Sequence, residues 1–132
     1  NWGLLVGWAC GAARAPLPVL LLAYAALIAW TLAYDSIYAA QDREDDALAG
    51  VRSSARALGP HLKAGVAVFA GLTILFMGAA LWLLWPELLL LLGLLPATLH
   101  LGWQALSFDP EDSANGLLLA AALFPALPRS LA

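Results

Sequence analysis

The length of the apolar runs constrains this chain more than any other feature. Residues 63–84, KAGVAVFAGLTILFMGAALWLL, hold one charge, at the first position, and residues 17–33 hold none. A helix rising 1.5 Å per residue needs about 20 apolar residues to cross a bilayer core of about 30 Å. Of the 132 residues 63% are hydrophobic and 11% charged. A soluble domain is roughly half apolar and a quarter charged, so these runs belong to an all-α membrane protein.

The runs and their breaks give the organisation. Residues 1–13 are apolar but too short for a span alone, and the prolines at 16 and 18 mark a turn and a new helix start. Residues 17–41 read as the strongest helix. A polar segment, 42–60, follows, in which Arg52 to Leu58 can form a short amphipathic helix ended by Gly59-Pro60. Residues 63–84 are the next span. Trp85-Pro86-Glu87 is a tight turn flanked by Trp82, as interface anchors would be. Residues 88–106 are another span, with a kink expected at Pro96. A polar loop covers 107–115 and a short last span 116–128. The expectation is about four to five transmembrane helices with short connections. Residue 1 is Asn and the single methionine is Met77, so the chain is expected to be part of something longer.

Several function classes are excluded. The net charge is -3 and no basic stripe exists to neutralise phosphates, which argues against nucleic acid. The one cysteine, Cys10, allows no internal disulfide and no cysteine-cluster metal site. Charge gathers instead in Tyr34 to Arg56, YDSIYAAQDREDDALAGVRSSAR. That stretch holds Asp35, Asp42, Glu44, Asp45 and Asp46 of the nine carboxylates, with Arg43, Arg52 and Arg56 of the six Lys/Arg. Arg43, Arg52, Arg56 and Lys63 fall in one loop. The positive-inside rule therefore places this loop on the cytoplasmic side, and in a bacterium the membrane would be the inner one.

Asp35, Tyr38, Asp42 and Asp45 are spaced three, four and three apart, the repeat of one helix face. Asp42 and Asp46 are four apart and project together. Carboxylates this close repel unless a cation intervenes. With no His or Cys nearby, oxygen donors suit a hard cation, Mg²⁺ before Zn²⁺. Arg52, Arg56 and Lys63 follow at near-helical spacing, and Arg forks match phosphate geometry. Mg²⁺ carboxylates, Arg and a membrane cavity together point to a lipid diphosphate whose headgroup stays at the interface. The plain alternatives are a solvated loop face for Arg43 and Glu44, and interface anchors for Tyr34 and Tyr38. Asp35 fits them less well, because an ionisable residue inside a membrane helix is costly and normally lines a cavity. His100 and His61 read as a packing and a loop histidine.

The run Tyr34-Asp35-Ser-Ile-Tyr38-Ala39-Ala-Gln-Asp42-Arg-Glu-Asp45-Asp46, then Gly50-Val-Arg52-Ser53-Ser54-Ala55, resembles the second aspartate-rich motif of the UbiA-type intramembrane prenyltransferases. Asn1-Trp2-Gly3 through Gly7-Trp8 and Leu99-His100-Leu101-Gly102-Trp103-Gln104 are similar to the same family. The resemblance implies a share of a nine-helix bundle, with 1–132 as the C-terminal part of one transmembrane prenyltransferase domain. It implies Mg²⁺ on Asp42 and Asp46, supported by Asp35 and Asp45. It implies a polyprenyl diphosphate held by Arg52, with Tyr38, Arg43 and Lys63 as further candidate contacts.

The implied reaction is ionisation of the donor's C–O bond and attack by an electron-rich ring ortho to its hydroxyl. By the same resemblance, the YDxxYAxxDxxDD spelling implies 4-hydroxybenzoate, the acceptor of ubiquinone biosynthesis, as the ring. Mg²⁺ would neutralise the leaving diphosphate and an apolar cavity would keep water from the cation.

The family's first motif is absent, and Asp109 to Gly116 stands where the family tends to carry a basic stretch. The isolated chain is therefore expected to be inactive. The competing readings are a family member with another acceptor and a non-catalytic membrane fragment. The Asp-Gly and Ala-Arg pattern of CDP-alcohol phosphotransferases is missing. A transporter would gather its charges at the midplane instead of one surface.

Overall fold

A computed structural model describes residues 1–11, 15–40, 46, 48–50 and 52–111. Among the described residues there is no strand. Helix α1 is Trp2–Cys10 and α2 is Leu17–Ala39. The short α3, Ser54–Leu58, runs through a single 3-10 turn, Gly59–His61, into α4, Leu62–Leu84. Helices α5, Leu88–Leu92, and α6, Leu95–Ser107, complete the described chain. Three stretches are long and apolar enough to cross a membrane: Leu17–Ala39, Ser54–Leu84 and Leu88–Ser107. The nine residues of α1 are too few to cross alone, as their sequence implied. The expected last span at 116–128 lies outside the described residues.

The helix ends follow from local chemistry. Pro18 sits in the first turn of α2, where its missing N–H leaves no bond unmade, and the Pro16 carbonyl accepts from Val19 N and Leu20 N at 3.0 and 3.2 Å. The Trp85 N–H closes α4 on the Leu81 carbonyl at 2.8 Å, and the chain turns at 85–87 as expected.

The 88–106 span departs from expectation in one respect. The break is not a kink at Pro96 but a turn at Gly93 and Leu94, and Pro96 lies in the first turn of α6. A proline ring clashes with the carbonyl four residues earlier, here Leu92. Ending α5 at Leu92 and restarting at Leu95 removes that clash.

Helices α2 and α4 make the main packing contact, and α6 packs on α4. The buried positions of α2 include Ala26, Ala29, Ala33, Ser36 and Ile37, and those of α4 include Val66, Ala70, Thr73 and Ala80. Small residues dominate because helices in lipid gain from close van der Waals approach, not from leaving water. Thr31, Thr73 and Thr98 each return the hydroxyl to the carbonyl four residues back at 2.9 Å, so none carries a loose donor.

The core gathers at one end. Ile37 near the end of α2, Ala55 of α3, Leu62 and Val66 at the start of α4, and Leu101, Ala105 and Phe108 at the end of α6 form one cluster. Helix α4 therefore runs antiparallel to both α2 and α6. This cluster lies at the end where α2 finishes and α4 begins. Only 6% of the most apolar window of 88–107 is buried.

Candidate functional site

The acidic end of α2 stands on this packed cluster. Asp35 is exposed in the penultimate turn of α2, and Tyr38, three residues on, is exposed beside it. Asp46 is half-buried, and its backbone carbonyl accepts a hydrogen bond from Arg56 Nη1 at 3.1 Å. That contact ties the basic segment to the acidic one. Arg52 is exposed just ahead of α3, and Lys63 is exposed at the second position of α4. The two basic residues are thus separated by α3 and the 3-10 turn. Asp42, Arg43, Glu44 and Asp45 lie outside the described residues. Among the described residues no three His, Cys, Asp or Glu side chains come together as a metal-holding group.

The placement of Arg56 has a local cause. Ala55 is fully buried, and Gly59, at φ 52° and ψ -123°, turns the chain where other residues would be strained. Leu58 then reaches back to Gly65, where an added Cβ would fall 2.7 Å from the Leu58 Cδ1. Two hydroxyls here, Ser36 Oγ and Ser53 Oγ, are buried and have no partner among the described residues. Each such hydroxyl costs about 1–3 kcal/mol if it stays unbonded, so both are candidates for water or ligand.

A second feature was not singled out from the sequence. Trp30, Tyr34 and Tyr38 recur every fourth residue along α2. The rings of Trp30 and Tyr34 stack with centroids 6.1 Å apart, and those of Tyr34 and Tyr38 lie 4.8 Å apart at 52°. Trp30 also borders a cavity of about 440 Å³ between α2, α4 and α6. The periodicity was visible in the chain, but the cavity needs α4 and α6 in place. His100, read as a packing histidine, lines the same cavity and lies 5.9 Å from the Trp103 ring.

Apolar helices of membrane-crossing length, with charge collected at one end over a packed cluster, define an integral membrane protein. The profile of the UbiA prenyltransferase family matches residues 1–124, and the chain belongs to that family. It is 36% identical over 120 residues to the mitochondrial 4-hydroxybenzoate polyprenyltransferase of Caenorhabditis elegans, covering 87% of this chain and 32% of that one. It is 39% identical over 107 residues to the 4-hydroxybenzoate octaprenyltransferase of Azotobacter vinelandii, covering 79% and 35%. The mitochondrial 4-hydroxybenzoate polyprenyltransferase of Arabidopsis thaliana is 35% identical over 118 residues, covering 87% and 28%. The chain spans about a third of the length of these relatives. No solved structure matches it.

Proposed function

We propose that this chain is the C-terminal part of a single prenyltransferase domain. The complete domain would move a polyprenyl group from its diphosphate to the ring of 4-hydroxybenzoate, in ubiquinone biosynthesis. The observation that carries this reading is the family match along residues 1–124, together with relatives whose names specify that acceptor. The site residues are Asp42 and Asp46 as principal carboxylates, with Asp35 and Asp45 in support. Arg52, Tyr38, Arg43 and Lys63 contact the diphosphate. The polar connection faces the cytoplasm, and in a bacterium the membrane is the inner one.

The donor chemistry supports Mg²⁺ as the ion. The acidic stretch offers carboxylate oxygens, the hydroxyls of Ser36 and Ser53, without a partner among the described residues, are also hard oxygen donors, and no thiol or imidazole lies within it. When bound, Mg²⁺ supplies charge neutralisation to the departing diphosphate. The rest falls to side chains of this chain. Asp42 and Asp46 hold the ion, and Arg52 and Lys63 hold phosphate oxygens. Arg56 keeps the basic segment docked on the acidic one through the Asp46 carbonyl. The apolar helices below keep water from the allylic carbon.

The test is prenyl transfer by the complete domain in membranes, with radiolabelled polyprenyl diphosphate and a panel of aromatic acids. Asp42→Ala and Asp46→Ala are each expected to abolish Mg²⁺-dependent product. Unchanged turnover of either variant at limiting Mg²⁺ removes that residue from the site. The 132-residue chain alone is expected to give negligible product. Transfer to other ring acids but not to 4-hydroxybenzoate would replace the acceptor.

A further inference from the structure

A serine or threonine within a helix can return its hydroxyl to the carbonyl four residues back, and Thr31, Thr73 and Thr98 all do so here. Ser36 on α2 does not. It is fully buried, and its Oγ has no hydrogen-bond partner among the described residues. Ser53 forgoes its local bond as well. It precedes α3 with φ -85° and ψ 161°, the backbone from which a serine side chain normally accepts an N–H of the first turn. No such bond forms. Only the Ser53 carbonyl engages the helix, accepting from Ala57 N at 3.0 Å, while its Oγ is buried without a partner among the described residues. Two hydroxyls thus give up bonds that their own backbone offers. Both belong to elements that pack on each other. Ser36 precedes Ile37 of α2, Ser53 lies two residues before Ala55 of α3, and Ile37 and Ala55 share one buried cluster.

We propose that Ser36 and Ser53 hold ordered water within the α2–α3 contact, and that both are positioning residues for Arg52. A buried hydroxyl without a bond is costly, and the surroundings of a residue with no exposed surface admit only a small partner. Water both donates and accepts, and a buried water typically joins about three polar groups. Helix carbonyls keep a second lone pair, so the backbone of α2 and α3 can supply the remaining acceptors.

The consequence lies at the charged end. Arg52 adjoins Ser53 in the chain and is exposed, as is Asp35, which adjoins Ser36. The bond from Arg56 Nη1 to the Asp46 carbonyl holds α3 on its exposed side. The hydrated serines hold it on its buried side. Two attachments fix the rotation of a five-residue helix, which one alone does not, and so fix where Arg52 stands. The proposal rests on the prenyl-transfer reading for the task of Arg52, and on the two hydroxyls for the water.

The experiment uses the complete domain in detergent micelles. An experimental structure that resolves water is expected to show it within hydrogen-bonding distance of Ser36 Oγ and Ser53 Oγ, and hydroxyls bonded to protein groups alone overturn the proposal. Unfolding gives a sign. Removing a hydroxyl that has no partner would raise Tm. With water held, Ser36→Ala and Ser53→Ala are each expected to lower Tm by about 2–4 °C, with or without Mg²⁺. A raised or unchanged Tm overturns the proposal. So does a loss seen only with Mg²⁺ and polyprenyl diphosphate present, which would make the ion or the headgroup the partner. Kinetics tests the positioning role. Each variant is expected to raise KM for polyprenyl diphosphate about fivefold and to leave KM for 4-hydroxybenzoate unchanged. Ser53→Thr, which keeps the hydroxyl, is expected to restore most of the loss. Arg52→Ala should cost less in the Ser53→Ala background than in the wild type, because Arg52 is already misplaced there. An unchanged donor KM, or strictly additive losses, overturns the positioning role. Wild-type protein that transfers no prenyl group would defeat the underlying reading, while the structure and the unfolding would still decide the water.

Discussion

Alanine at Gly65 measures how tightly α3 is held against α4, and Gly71 in the same helix supplies its reference. At Gly71 an added Cβ meets nothing within 4 Å. Gly71→Ala should therefore gain only the helix preference of alanine over glycine, about 1 kcal/mol. At Gly65 the new methyl falls 2.7 and 2.9 Å from the two Leu58 methyls and 3.3 Å from Leu58 Cγ. Carbon atoms prefer about 3.5–4.0 Å, so Leu58 must retreat by roughly 1 Å. Leu58 packs against the cluster of Ile37, Ala55, Leu62 and Val66, which limits where it can go. Overpacking of this kind costs about 1–3 kcal/mol. The propensity gain is common to both variants and cancels in their difference. Gly65→Ala should thus be about 1–3 kcal/mol less stable than Gly71→Ala.

The assay is unfolding of the chain in detergent micelles, by heat or by SDS, followed through helical circular dichroism. Removing the obstacle should uncover the cause. In Leu58→Ala the alanine at 65 should become neutral or favourable, a coupling that a double-mutant cycle reads directly. If Gly65→Ala and Gly71→Ala unfold within about 0.5 kcal/mol of each other, α3 is not clamped as described. The anchoring of Arg56 beside Asp46 would then need another explanation.

Two further outcomes follow from the same end of the molecule. Gly59→Ala should cost about 1–3 kcal/mol in the same unfolding measurement, because φ 52° with ψ -123° is open to glycine and strained for other residues. Phe108→Ala should cost about 3–5 kcal/mol, since this side chain is fully buried where the end of α6 meets α4, while Leu106→Ala, at a 78% exposed position two residues away, should change little.

Much of this protein was readable before any helix was placed against another. Residues 17–39 and 62–84 announce themselves because bilayer thickness, not tertiary packing, sets how many apolar residues a span needs. The turn at Trp85-Pro86-Glu87 and the proline start of α2 were legible because proline acts through its own backbone. The acidic motif was legible as chemistry, since carboxylates at helical spacing without His or Cys already restrict the ion. Its geometry was less so. The spacing of Arg52, Arg56 and Lys63 suggests one helical series, yet Arg52 stands outside α3, and the turn at Gly59–His61 comes between Arg56 and Lys63.

What the sequence settled alone is what depends on near neighbours along the chain: helical class, the main spans, the charged connection and the motif that resembles its family. What tertiary structure decided is which distant residues share a space. Nothing in the local pattern tells that Leu58 abuts Gly65 closely enough to exclude a methyl, or that Ile37, Leu62 and Phe108 form one cluster beneath the polar end. Nor does it tell that Trp30, Met77 and His100, from three helices, border one cavity. In a membrane the apolar residues of a helix satisfy lipid and protein equally well, so composition cannot mark the inward face. Only the close fit of one helix on another selects it.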